Sequence, residues 1–223
     1  MPCLIWPMAP AMQDAPPESS CVYVDADLAG RAWFAGPDAP IPRQLGLSRS
    51  RVEAGLTHGV ASGRVAVTAV RTTPDGGLQG IDGESFVPRV QIAEARVVWP
   101  QAGLALMGGV IDEPWVFSAN QAVTARALGP TLAEAVGLLP RADAGLGGIW
   151  TAPDDLADIT LTATTGEGFR FRERNAGQTL TVMARLHPSE WLHVVAYGRE
   201  GSVGIGSVRD HRIGARAHVT FPG

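Results

Sequence analysis

Residues 158–198 read DITLTATTGEGFRFRERNAGQTLTVMARLHPSEWLHVVAYG, and this stretch decides the fold class. Apolar and polar side chains alternate over 159–162 and again over 180–186. Such alternation is typical of β-strands, because successive side chains point to opposite faces of a sheet. Turn residues at 166–168 and 175–177 separate the runs. The stretch therefore predicts antiparallel strands joined by tight turns.

The same pattern extends toward the N-terminus. Strands are predicted at 21–24, 64–72 and 87–99, the last ended by Pro100. Further strand segments are predicted at 104–107, 115–117, 121–128, 191–197, 203–208 and 213–221. Strands at roughly ten-residue spacing with turns between them favour a mainly β fold. We predict an antiparallel β-sandwich or barrel with one or two short helices.

Two segments carry helix signals. Residues 131–139 begin with a capping box at Thr131 and Glu134 and end at Pro140. A second short helix is predicted within 43–56 from a similar capping pair, although its apolar pattern is weaker. Both are short, so they would cover one end of a sheet rather than form a layer.

The composition divides the chain into three parts. Residues 1–20 hold five prolines and predict an extended arm. Within the arm, Ile5 and Trp6 are apolar, and we expect them to dock on a neighbouring subunit. Residues 21–148 are predicted to form a β-rich lobe with long connections, and residues 149–223 an antiparallel β lobe.

The charge and composition exclude several functions. All 18 fixed cations are arginine, so chemistry that needs a lysine amine is excluded, including Schiff bases and phosphate-loop lysines. A formal charge of −4 gives no indication of a surface that binds duplex nucleic acid. No run approaches the roughly 18 apolar residues of a membrane helix, and no basic segment opens a signal peptide. We therefore expect no membrane insertion and no cofactor.

Cys3 and Cys21 are the only cysteines. Eighteen residues apart in the Pro-rich region, they could form one disulfide, but two free thiols are the favoured reading. No histidine lies near them, so they predict no zinc site.

Asp25 and Asp27 form the sharpest catalytic motif, in VYVDADL over 22–28. A hydrophobic strand ending in DxD resembles the nucleophile motif of haloacid-dehalogenase-like phosphatases. That resemblance implies a metal-dependent hydrolase, which is kept as an alternative, although the downstream lysine typical of the family is absent. His187 and His193 lie six residues apart across a break, a spacing that fits no standard metal site. We predict partly buried or surface histidines, no metal and no enzymatic activity.

Arg170, Arg172 and Arg174 stand at every second position, with Phe169 and Phe171 on the opposite side, and so share one face of a strand. A row of guanidinium groups can bind carboxylates, sulfates or phosphates on a polyanion, or it can be neutralised by acidic neighbours. Both readings stay open. The six tryptophans raise another alternative, a carbohydrate-binding β-sandwich that stacks sugars on exposed indoles.

Residues 158–198 also resemble small β domains of bacteriophage tail fibres and other virion proteins. The residues that carry this resemblance are Gly168-Phe169, Asn175 to Gly177 and Glu190-Trp191. It implies a structural or host-attachment component of a phage-like particle, assembled in the host cytoplasm and carried on the extracellular virion. The implied partners are further copies of the chain, other virion proteins and a surface glycan, with the arginine row at the host contact.

Overall fold

A computed structural model describes nine segments of the 223-residue chain. These are residues 20–34, 43–71, 86–122, 132–135, 138–166, 168, 177–189, 191–203 and 208–219, the helical segment 132–135 being the shortest apart from the single residue 168. The arm residues Ile5 and Trp6 and the arginine row Arg170, Arg172 and Arg174 lie outside the described residues.

The fold is one ten-stranded antiparallel sheet, which confirms the mainly β prediction. The strands follow one another across the sheet in chain order, so each pairs with its neighbours in sequence. They are β1 (Ser20–Phe34), β2 (Arg43–His58), β3 (Ala61–Arg71), β4 (Phe86–Trp99), β5 (Leu104–Asp112), β6 (Ala142–Thr151), β7 (Ala157–Thr164), β8 (Thr179–Ser189), β9 (Leu192–Val203) and β10 (Val208–Val219). Two short helices follow β5, namely α1 (Pro114–Ala122) and α2 (Leu132–Ala135).

The connections between strands differ in length at the two ends of the sheet. At one end, which we call the short-turn end, the strands are joined through residues 59–60, 100–103, 152–156 and 190–191. At the other, the long-connection end, the joining segments include 72–85, 113–141 and 165–178. Because neighbouring strands are antiparallel, every second connection falls at the same end.

The sheet curves around α1. The ring of Phe117 lies 6.0 Å from the Arg64 guanidinium on β3, while the Trp115 ring lies 5.4 Å from the Tyr197 ring on β9. Val116 packs with Met183 of β8 in a buried apolar cluster. One short helix therefore touches strands that are six positions apart in the sheet, which requires a concave face.

Several predictions about individual elements were wrong. The predicted helix at 43–56 is strand β2, since pairing with β1 and β3 overrides the capping signal at Ser50 and Glu53. The predicted strand at 115–117 belongs to α1, which lies against the concave face instead of pairing. Of the helix predicted at 131–139, the described helical part is α2, Leu132–Ala135. Of the strand predicted at 203–208, Val203 ends β9 and Val208 begins β10, and residues 204–207 lie outside the described residues.

The division of the chain into two lobes at residue 148 stays a prediction. Strand β6 runs through that position. Cys21 is disulfide-bonded, which corrects the preference for two free thiols; Cys3, the only other cysteine, lies outside the described residues. No helix among the described residues is long and apolar enough to cross a membrane.

Candidate functional site

The outer, convex face of the sheet is apolar and exposed. Along β7, exposed Ile159 and Leu161 alternate with buried Thr160 and Thr162. The same alternation places exposed apolar residues on the other strands, with Leu146 70% exposed and Ile213 81% exposed. Members of this outer band are Val52, Leu56, Val65, Val90, Val97, Leu104, Leu106, Leu146, Ile159, Leu161, Leu180, Val182, Leu186, Ile213 and Val219. Exposed apolar surface of this extent marks a contact with another apolar phase or partner.

The inner, concave face is buried and carries charged and hydroxyl side chains beside apolar clusters. Its fully or nearly buried side chains include Glu94 at 5% exposure and Arg199 at 3%. Charged residues are almost never this buried in water-soluble cores unless they are paired. The charged and hydroxyl residues of this face are Arg64, Glu94, Arg96, Asp143, Asp158, Thr160, Thr162, Thr164, Thr179, Thr181, Arg199 and Asp210. The sheet thus exposes an apolar outer face and buries charged groups on its inner face, whereas a water-soluble sandwich buries its apolar side chains and turns polar ones outward.

A network of ion pairs joins β3, β4 and β5 on the inner face. The Arg64 guanidinium donates to Glu94 at 2.9 Å and to Asp112 at 2.8 Å. Arg96 donates to the same Glu94 carboxylate, at 2.9 Å. The paired charges satisfy one another, which buried ionic groups require. They also border, with Phe117, a cavity of about 390 Å³ that includes space open to solvent.

A second network joins the inner face to the start of α1. Arg199 of β9 donates to Asp210 of β10 at 2.8 Å and lies 3.7 Å from the Glu113 carboxylate. Glu113 stands between β5 and α1 and is 5% exposed. Burial raises the pKa of Glu113 to about 7, against the opposing effect of the Arg199 charge.

Polar and aromatic residues limit the outer band at its two ends. At the long-connection end, exposed Glu200 of β9 accepts a hydrogen bond from Arg209 of β10 at 2.7 Å and pairs with His211. At the short-turn end, exposed indoles stand at Trp99, Trp150 and Trp191, the first two at strand ends. The apolar band therefore lies between a charged rim and a row of indoles.

The structure places the DxD motif within a strand and not at its end. Asp25 and Asp27 lie within β1, opposite Glu53 and Arg51 of β2. Asp25 is exposed. Across the described part of the chain, no group of three His, Cys, Asp or Glu side chains has metal-binding geometry.

The histidines are closer in space than their sequence spacing indicates. Nδ1 of His187 on β8 lies 2.8 Å from Nδ1 of His193 on β9. His193 pairs in register with His218 of β10, and their rings stack at 6.0 Å. All three are half-buried on the inner face near the short-turn end, in line with the predicted partial burial.

Sequence reasoning missed the charged inner face, although the signal was present. Arg64 alternates with Val65, and Glu94 and Arg96 alternate with Ala95 and Val97. Alternation fixes two faces but not which of them is buried. In a water-soluble sheet the apolar face is assumed to be the inner one, and that assumption hid the site.

Comparisons with protein-family models, with curated proteins and with solved structures found no match for this chain.

Proposed function

We propose that this chain is an integral membrane protein of the outer-membrane type, whose curved antiparallel sheet forms a barrel-like wall with lipid outside and a polar interior. The observation that carries the proposal is the inverted polarity of the sheet, with apolar residues exposed and ion pairs buried. Strands that alternate apolar-out and polar-in are the hallmark of a β-sheet wall in a bilayer.

The dimensions of the strands support the proposal. Strands β3 to β10 contain from 8 to 14 residues. About ten residues at ~3.4 Å each, tilted by roughly 40°, cover about 26 Å, close to the apolar band of about 25 Å in such proteins.

The ends of the sheet support it as well. Indoles favour the interface between lipid and water, where Trp99, Trp150 and Trp191 would lie. The connections at the short-turn end have two to five residues, whereas three of the five at the other end have 14 or more, an asymmetry found in outer-membrane strands. The disulfide at Cys21 fits an oxidising compartment.

The sequence-based alternative is a subunit of a phage-like particle, which remains a prediction. Neighbouring subunits would also cover apolar surface, and a typical interface buries about 800 Å² on each partner. Lipid is favoured because the outer band extends over β2 to β10 without a break in polarity, so a single partner patch would cover only part of it. This proposal departs from the earlier expectation of no membrane insertion.

The test is reconstitution of the full chain into phosphatidylcholine vesicles, followed by flotation and washing with alkaline carbonate and with urea. We expect the folded protein to float with the vesicles and to resist both washes. A chain that stays in the aqueous fraction as a monodisperse, folded monomer or soluble oligomer, without detergent, would contradict the proposal. A soluble oligomer would instead favour the particle-subunit prediction.

A further inference from the structure

Two basic rows lie side by side on the inner face, near the short-turn end of β8, β9 and β10. The first row follows the register Arg185–Val195–Arg216. The second holds the imidazoles of His187, His193 and His218. We call these five basic side chains the basic patch. The sheet separates it from the outer band, so it faces the polar interior.

The charge of the basic patch is only partly neutralised. Arg185 donates to Asp158 of β7 at 2.7 Å, and His187 lies 3.4 Å from the other oxygen of the same carboxylate. Asp158 is therefore already shared between Arg185 and His187 at the edge of the patch. In the register of the sheet, Arg216 stands three strands away from it, about 14 Å at the usual strand spacing.

Arg216 has no carboxylate partner among the described residues. Its guanidinium donates to the Ser118 hydroxyl at 2.7 Å and lies 5.4 Å from the Trp115 ring, both on α1 and both neutral. Its Nε is buried and has no hydrogen-bond partner. A half-buried cation with an unused donor is costly unless an anion or water satisfies it.

The distances suit a small anion. The backbones of Arg185 and Arg216 are two strands apart, about 10 Å, so their long side chains can both reach a group held between them. Guanidinium groups bind tetrahedral oxyanions through several N–H donors at once. The His218 imidazole in the adjacent row adds a further N–H donor, and α1, which covers Arg216, contributes no acidic side chain.

We propose that the basic patch is a binding site for a small soluble oxyanion of the phosphate class, with Arg216 as its principal ligand. The site concerns the inner face and does not depend on what covers the outer face. It thus goes beyond the proposed membrane function.

The test is calorimetric titration of the folded full-length protein with inorganic phosphate, in detergent or in low-salt buffer. We expect one phosphate per chain, and at least a tenfold loss of affinity in Arg216→Gln. His218→Gln should give a smaller loss. The matched control is Arg209→Gln, because Arg209 is an exposed arginine on the same strand that pairs with Glu200 at the opposite end.

Three results would overturn the proposal. They are no phosphate binding up to about 10 mM, equal affinity in Arg216→Gln and Arg209→Gln, or loss of affinity only in Arg209→Gln. If Arg216→Gln fails to fold, His218→Gln decides alone, and unchanged affinity in that variant contradicts the site. Flotation with vesicles is measured separately, so failure of the anion site is distinguishable from failure of membrane insertion.

Discussion

The two faces of one sheet obey opposite rules in this protein. On the outer face, the apolar side chains of Leu161 and Ile213 are exposed. On the inner face, the charged side chains of Glu94 and Arg199 are buried within ion pairs. Both faces come from the same strands and the same period-two pattern. Alternation therefore specifies two surfaces of the sheet but does not specify which of them is buried.

The largest effect is expected from breaking the inner face. Glu94→Leu removes the carboxylate that both Arg64 and Arg96 contact. Each of these two buried guanidinium groups then loses an ion pair. We expect a loss of about 3–5 kcal/mol in the free energy of unfolding, the usual cost of removing one partner from a buried ionic group. Urea unfolding monitored by tryptophan fluorescence measures it.

The control for Glu94→Leu is Glu200→Leu, which removes an exposed carboxylate at the charged rim. That change should leave the urea midpoint almost unaltered. Equal losses in both variants would mean that the inner ion pairs do not distinguish the two faces.

The next effect concerns the outer face. Leu161→Arg places a charge in the middle of the outer band, where lipid would surround it. We expect a loss of about 2–4 kcal/mol for the protein folded in vesicles. In a protein whose outer face meets water, the same change would be close to neutral, so a neutral result in vesicles contradicts the lipid-facing assignment.

A smaller effect is expected where the inner face is crowded. A Cβ at Gly55 of β2 would meet the Tyr23 ring of β1 at 2.3 Å, and Tyr23 donates to Glu53 at 2.9 Å. Gly55→Ala should displace the ring and cost about 1–3 kcal/mol by overpacking. Gly198→Ala is the matched control, since a Cβ there meets nothing within 4 Å. Similar urea midpoints for the two variants would show that the ring moves aside without cost.

The last effect is a pH dependence at Glu113. Burial raises its pKa in the folded protein to about 7, above the ordinary value of 4.5, so folding favours the protonated form. Its contribution to stability is complete below about pH 4.5 and is lost as the pH rises to about 7. The difference in unfolding free energy between wild type and Glu113→Gln should therefore change over this window. A constant difference from pH 4 to pH 8 would contradict the shift.

Much of the fold follows from the sequence, because period-two alternation in β7 and β8 and the turn residues between strands are local signals. The segments 43–56 and 115–117 were assigned incorrectly for a common reason. A strand partner in one case and a concave surface in the other decided the outcome, and neither is visible in a local window. The basic patch could not be predicted from the sequence, because it depends on the register of β8, β9 and β10. That register places His187 beside His193 and aligns Arg185 with Arg216.

The most direct test of the central claim is a nitroxide scan along β7. Single cysteines at positions 158 to 164 of the full chain would be spin-labelled in vesicles, with the native cysteines replaced by serine. The collision rate with oxygen, which concentrates in lipid, is then compared with that of a water-soluble nickel complex. If the outer face meets lipid, we expect high oxygen and low nickel accessibility at 159, 161 and 163, and low oxygen accessibility at the positions between them. High nickel accessibility at 159 and 161 would place the outer face in water and contradict it.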